Sequence, residues 1–278
     1  MLGGVTAAAT RGSGDEASID VAFTPADGIK ERQDSDRPTS VALVVDVLRA
    51  SSTIVAALAV GFERVLCVGD VEGARRLKGP GRVLAGERKC RPIEGFDYGN
   101  SPGELQSAPV AELVLCTTNG TPAVLAAADA ADEVLVASLI NFDAVVRAVP
   151  DGTDVTIVCS GTNQRFALED AYAAGRLVQR LGRRRTDAAV AAAQLAGSYV
   201  DSNAPLAQSA DAGVLEATGQ SADIEFCARE SVFDVVPRVA GIRDGIAVVE
   251  KSHFGPSPDE RHTAGDGVRQ HPRAELIT

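Results

Sequence analysis

Five short apolar runs, rich in β-branched residues and bounded by turns, recur along the chain: VALVV (41–45), VLCV (65–68), LVLC (113–116), VLVA (134–137) and VTIVC (155–159). Runs of this length without polar alternation suit strands buried on both faces, the situation inside an α/β sheet. Three of them lead straight into helical patterns. VALVV precedes LRASSTIVAALAVG, where Ser51 or Ser52 can cap a helix and Gly61 can end it. LVLC precedes TTNGTPAVLAAA, where Thr121 can cap and Pro122 suits the first helical position. VTIVC precedes SGTNQRFALEDAYAAGRLVQRLG. Strands alternating with helices predict a three-layer α/β/α fold around a mixed or largely parallel sheet.

VVDVLRASSTIVAALAVGFERVLCVGD also lines up with LCTTNGTPAVLAAADAADEVLVASL. The match suggests an internal duplication, although α/β patterning alone can generate such strings. Further on, residues 186–217 are Ala-rich and helical, with a break around Asp201–Pro205, and IEFCARES with DVVPRVAGIRDGIAVVE implies a closing helical and strand-like portion. Residues 1–18 and 252–278 read as polar, aperiodic tails, and the second holds all three histidines (His253, His262, His271). Chemistry in the remainder must therefore rest on carboxylates, arginines or a thiol.

With 27 basic against 38 acidic residues the formal charge is −11, which repels a phosphate backbone and argues against a nucleic-acid partner. No apolar run approaches the roughly 20 residues of a membrane span, and the first 20 residues lack the apolar stretch of a signal peptide. Five scattered cysteines without a C-x-x-C fit a reduced cytoplasmic setting better than a disulfide or zinc scaffold. For oligomeric state the expectation is the commonest case, a homodimer.

Ligands of α/β proteins bind where turns leave the carboxyl ends of parallel strands. Asp46 ends VALVV and Arg49 follows, a pairing that suits a metal ion beside a phosphate or, more plainly, a capped turn. TTNGT (117–121) offers hydroxyls, an amide and a helix N-terminus, either an anion cradle or a simple cap. GERKCRPIEGFDYGNSPGE (86–104) mixes both charge signs with glycines, which suits a site holding a cation and an anion together. In CSGTNQRF, Cys159 and Arg165 have the C-x₅-R spacing by which thiolate phosphatases combine a nucleophile and a phosphate clamp. A small buried cysteine is the rival reading. The D-x-D of haloacid-dehalogenase-type phosphatases is absent, since Val47 and Leu48 follow Asp46.

Taken in order, DVLRASSTIVAAL, LAGERKCRPIEGFDYGNSP, LCTTNGT, ASLINFDAV and CSGTNQRFALEDAYAAG resemble the 2-phosphosulfolactate phosphatase family of coenzyme M biosynthesis, from about Ile19 to Val249. The resemblance implies one phosphatase domain over residues 19–251, which the duplication would divide into two similar halves. It also implies a Mg²⁺-dependent enzyme that hydrolyses 2-phospho-3-sulfolactate, a small anionic phosphoester. Under it, Asp46, Glu169 and Asp170 would be catalytic, and Asp46, Glu94 and Asp97 would hold Mg²⁺. Arg49, Arg88 and Arg165 would face the substrate's charges. Ser51, Asn100, Ser101, Thr118, Asn119, Gly120 and Thr121 would complete its binding site. Two alternatives stand beside this: a Cys159/Arg165 thiolate phosphatase, and a non-catalytic binder of anionic metabolites.

Overall fold

β2 (Ser40–Val45) lies inside an eleven-stranded sheet, and its residues Val41 to Val45 are all buried, as an unbroken apolar run requires. The computed structural model describes residues 17–27 and 40–252. The predicted tails, apart from Ala17, Ser18 and Ser252, lie outside the described residues, and so do all three histidines.

In chain order β1 (Ser18–Ala22) comes before β2, followed by α1 (Ala50–Ala59), β3 (Arg64–Cys67) and α2 (Val71–Arg76). Next are β4 (Arg82–Arg88), β5 (Arg91–Pro92), β6 (Glu112–Cys116), α3 (Gly120–Ala128) and β7 (Glu133–Ala137). α4 (Phe142–Ala148), β8 (Asp154–Cys159), α5 (Leu168–Leu181), β9 (Arg184–Arg185) and α6 (Asp187–Gly197) continue. The chain closes with α7 (Asn203–Ala207), α8 (Ala210–Ala217), α9 (Ala222–Cys227), β10 (Pro237–Arg243) and β11 (Ile246–Lys251).

The strand order is β5-β4-β6-β3-β11-β10-β7-β2-β8-β1-β9. One parallel group, β4-β6-β3, and another, β7-β2-β8-β1-β9, are joined through the antiparallel β10–β11 hairpin. The expected α/β fold with a mixed, mostly parallel sheet is what forms. Both long crossings link the groups: β2 runs through α1 to β3, and β6 runs through α3 to β7. These crossings are the two segments that resemble each other in sequence, and they bring the turns after β2 and β6 to one place.

Three apolar clusters fill the layers. α1 and α3 pack on one face of the sheet with Ala42, Val44, Val65, Leu113 and Val136. On the other face, Val41, Leu43, Val45 and Ile157 meet α4, α5, α6 and the later helices, and a smaller cluster lies under α2. α5 packs very closely on α6: a Cβ on Gly175 would lie 2.0 Å from the Ala192 carbonyl oxygen. This seats the first turn of α5, with Glu169 and Asp170, under the carboxyl ends of β2 and β8. Among the described residues no helix is long and apolar enough to cross a membrane.

Candidate functional site

A cavity of about 210 Å³ opens where the turns after β2, β4, β6 and β8 meet α8. Its size suits a small metabolite. Asp46 comes from the turn after β2, Glu87 from the end of β4, Lys89 from the β4–β5 turn, Thr117 to Asn119 from the turn after β6, and Asp211 from α8.

Asp46 is fixed by its own helix. One carboxylate oxygen accepts the Ala50 N–H at 2.9 Å, while its N–H donates to the Ser51 hydroxyl at 2.9 Å. α3 starts against it, because residue 120 is glycine: a Cβ there would lie 2.3 Å from the Ala50 Cβ and 2.7 Å from Asp46 Oδ2. The positive end of the α3 dipole faces this corner, although the Thr121 N–H is taken by the Thr117 hydroxyl at 3.1 Å and residue 122 is a proline without an N–H. Burial, reinforced by the charges of Asp211 and Glu87 and opposed by the Ala50 hydrogen bond, pushes Asp46 up to about 7.

Glu87 ties two turns together. One oxygen accepts both the N–H and the hydroxyl of Thr118 at 2.8 Å, and the other accepts the Cys90 N–H at 2.8 Å. Asp170 does the same on the opposite side, accepting the Val47 N–H at 2.8 Å and the Gly161 N–H at 3.0 Å. Burial, with the charges of Glu169 and Asp46, holds Asp170 well above the usual carboxylate range. Glu169, buried beside Asp211 and Ser209, is pushed up to about 8 by burial and then by the Asp211 charge. Asp211 is raised by burial, although the Thr162 hydroxyl donates to it at 2.6 Å.

Arg49 is buried and lines the cavity, its Nη1 donating to Gln220 Oε1 and, at 2.6 Å, to Asp223 Oδ2. The other Asp223 oxygen accepts from the Ser101 hydroxyl. Asn100 also lines the cavity, and its buried Oδ1 has no hydrogen-bond partner among the described residues.

Of the residues singled out in the sequence, Asp46, Arg49, Asn100, Thr118 and Asn119 line the cavity. Ser51, Ser101, Gly120, Thr121, Glu169 and Asp170 support its walls, Thr121 through the Thr117 hydroxyl at 3.2 Å. The other four neither line nor brace it. Arg88 donates to the carbonyls of Glu87, Cys116 and Gly69, because it follows Glu87 on a strand and points to the opposite face. Asp97 spends a carboxylate oxygen on the Leu84 N–H at 2.8 Å, and Glu94 and Arg165 are exposed. Glu94 and Asp97 are thus not brought to Asp46. Asp211, Gln220 and Asp223 have no place in the sequence-based expectations, and Glu87 and Lys89 enter them only as members of the mixed-charge stretch 86–104, without a role of their own. Glu87 and Lys89 had a signal, the mixed-charge loop, whereas Asp211 on a short Ala-rich helix had none.

Cys159 is buried, and burial followed by the Asp170 and Glu169 charges drives its thiol well above the ordinary value. An activated thiolate needs the reverse, and Arg165 is exposed rather than poised over it. The geometry speaks against the thiolate alternative.

The lining sets three carboxylates, Asp46, Glu87 and Asp211, against two cations, Arg49 and Lys89. Among the described residues no three His, Cys, Asp or Glu side chains form a ready-made metal cage. Mg²⁺ does not require one, since it commonly takes one or two carboxylates together with water and substrate phosphate oxygens. Asp46 and Asp211, with the unpartnered Asn100 oxygen, make an all-oxygen donor set that fits such an ion.

The sequence profile of the 2-phosphosulpholactate phosphatase family matches residues 27–241. A probable 2-phosphosulfolactate phosphatase of Thermotoga petrophila is 37% identical over 223 residues, covering 79% of this chain and 94% of that protein. One of Thermus thermophilus is 40% identical over 219 residues, 76% of this chain and 92% of that protein. One of Carboxydothermus hydrogenoformans is 34% identical over 242 residues, 85% and 98% of the two chains.

Proposed function

This chain belongs to the 2-phosphosulfolactate phosphatase family, and from that premise we propose that it hydrolyses 2-phospho-3-sulfolactate to 3-sulfolactate and phosphate with the help of Mg²⁺. It is a phosphoric monoester hydrolase. The observation that carries the reading is the charge balance of the cavity: three carboxylates face two cations around an unpartnered Asn100 oxygen. Such a lining repels a polyanion unless a divalent cation joins it, and a phosphatase for a small acidic ester needs that combination.

In the reaction a water oxygen bonds to phosphorus, the bond from phosphorus to the C2 oxygen breaks, and that oxygen takes up a proton. Asp46 and Asp211 would hold Mg²⁺, which when bound supplies positive charge to the phosphoryl oxygens and lowers the pKa of water. Arg49 would orient the phosphate or a second acid group, with the positive end of the α3 dipole facing the same corner. Glu87 and Asp170 keep the turns in register. Glu169, protonated near neutrality, can hydrogen-bond to Asp211 and favour the charged form of that carboxylate against the effect of burial. The reading places the enzyme in a reduced cytoplasm, in coenzyme M biosynthesis, as a homodimer.

The test is phosphate release from a panel of 2-phospho hydroxy acids, with Mg²⁺ and with EDTA. Metal-dependent release that favours the sulfolactate ester is expected. Full turnover in EDTA would remove Mg²⁺ from the proposal, and no release from any ester would remove the reaction.

A further inference from the structure

Gln220, in the connection between α8 and α9, joins the two positively charged elements of the cavity. Its Oε1 accepts from Arg49 Nη1, and its Nε2 donates to the Cys90 carbonyl at 2.6 Å and the Thr218 hydroxyl at 2.8 Å. Arg49 begins α1. Lys89 and Cys90 form the two-residue turn between β4 and β5, where Arg88 pairs with Arg91.

That turn is unusual in composition. Lys89 has φ 54° and Cys90 has φ 58°, a primed hairpin geometry that normally selects Asn or Gly because a Cβ disfavours it. Conformations of this kind persist where surrounding contacts over-determine them, often at binding sites. Here Glu87 holds the Cys90 N–H and Gln220 holds the Cys90 carbonyl, and Lys89 lines the cavity. Arg49 is anchored in the same way: Asp223 and Gln220 both take Nη1, so among the described residues Nε and Nη2 have no acceptor.

We propose that Gln220 is a positioning residue that fixes Arg49 and Lys89 at a set separation, so that the cavity selects a phosphoester carrying a further strong acid group over one without. This rests on the phosphatase reading above and deepens it. An amide suits the position because it donates to one element while accepting from the other, which neither a carboxylate nor an alkyl group can do.

The test compares wild type with Gln220→Ala, Gln220→Glu, Lys89→Gln and the Gln220→Ala/Lys89→Gln double variant in Mg²⁺. Two quantities are measured: KM and kcat for 2-phospho-3-sulfolactate, and the inhibition constant of isopropyl phosphate, an ester with no second acid group. Gln220→Ala is expected to raise KM about tenfold, with kcat and the isopropyl phosphate constant within about threefold. Gln220→Glu, which keeps the acceptor for Arg49 and loses the donor for Cys90, should shift KM in the same direction. The double variant should be little worse than Lys89→Gln alone, since both changes break one arrangement. Equal weakening of both ligands, a fall in kcat at constant KM, additive effects, or no effect would each overturn the inference. If wild type releases no phosphate, the functional reading fails separately. Calorimetry of 3-sulfolactate against the same variants, with circular dichroism as a folding control, still decides the role of Gln220.

Discussion

Glu87 accepts two hydrogen bonds from Thr118, one from its N–H and one from its hydroxyl, both 2.8 Å long. With the Cys90 N–H on the other oxygen, one buried carboxylate satisfies three donors from two turns of the cavity. Glu87→Ala leaves all three without an acceptor and should cost ~2–4 kcal/mol in urea denaturation. Glu87→Gln faces at least one donor with its own NH₂ and should cost about half as much. In both variants kcat/KM should fall further than the loss of folded protein explains. A fully stable, fully active Glu87→Ala variant contradicts this role.

Asp46 contributes to stability with a sign opposite to that of most carboxylates. Its folded value of about 7 lies above the ordinary 3.8, so the metal-free folded chain holds this proton more tightly than the unfolded one. Stability from this group is therefore greatest below about pH 4 and declines as pH rises to about 7. Asp46→Asn should stabilise the metal-free protein by ~1–4 kcal/mol at pH 8 and by little at pH 4, while removing most activity. Denaturant curves at the two pH values measure it, and a variant less stable than wild type at pH 8 would contradict the assigned burial.

Mg²⁺ should act in the same window. Glu169, at about 8, adds to the fall in metal-free stability with rising pH, and a divalent ion among these carboxylates offsets it. Because metal ligands must lose their protons, saturating Mg²⁺ should raise Tm by about 4–8 °C at pH 8, and by much less at pH 5. A Tm at pH 8 indifferent to Mg²⁺ would exclude a cation shared by Asp46 and Asp211.

What could be read from the sequence divides along physical lines. VALVV announces a buried strand because both of its faces are covered, so no polar residue interrupts it, and VTIVC does so through Val155, Ile157, Val158 and Cys159 despite the half-buried Thr156. β1 (SIDVA) alternates, and β4 (RVLAGER) runs into charged residues, so neither stood out. Within β4 the side chains of Glu87 and Arg88 point opposite ways, and residue type alone favoured Arg88 as an anion binder. Only the pairing of β4 with β6 decides that Glu87 faces the cavity. Asp211 and Asp223 come from short helices, and Gln220 from the connection between them, where the local pattern is that of a solvated surface. Their role exists through a long-range approach to Arg49 and Thr162, which no local spacing encodes.

Cys159→Ser tests the thiolate route directly. The thiol is buried, and burial holds it protonated, so replacing it should leave phosphate release within about threefold of wild type while costing ~1–2 kcal/mol of stability for a hydroxyl in an apolar wall. A loss beyond about a hundredfold with the fold intact would restore Cys159 as a nucleophile.

Gly120 is the point where the two crossings touch, and a single methyl group there tests whether their junction shapes the site. The added Cβ would lie 2.3 Å from the Ala50 Cβ, which the α1 backbone fixes, and 2.7 Å from Oδ2 of Asp46, whose other carboxylate oxygen is held by the Ala50 N–H. α1 and α3 must then move apart, or Asp46 must turn from the cavity. Overpacking of this kind costs ~1–3 kcal/mol, and small displacements of a reacting group can cost about a hundredfold in rate. Gly120→Ala should therefore lose activity out of proportion to stability. Ala50→Gly removes the methyl group that Gly120→Ala meets first, so combining the two should recover part of the rate despite the lower helix propensity of glycine. Kinetics and melting of both variants and their combination measure it. A Gly120→Ala enzyme with wild-type turnover would show that the α1–α3 contact does not place Asp46.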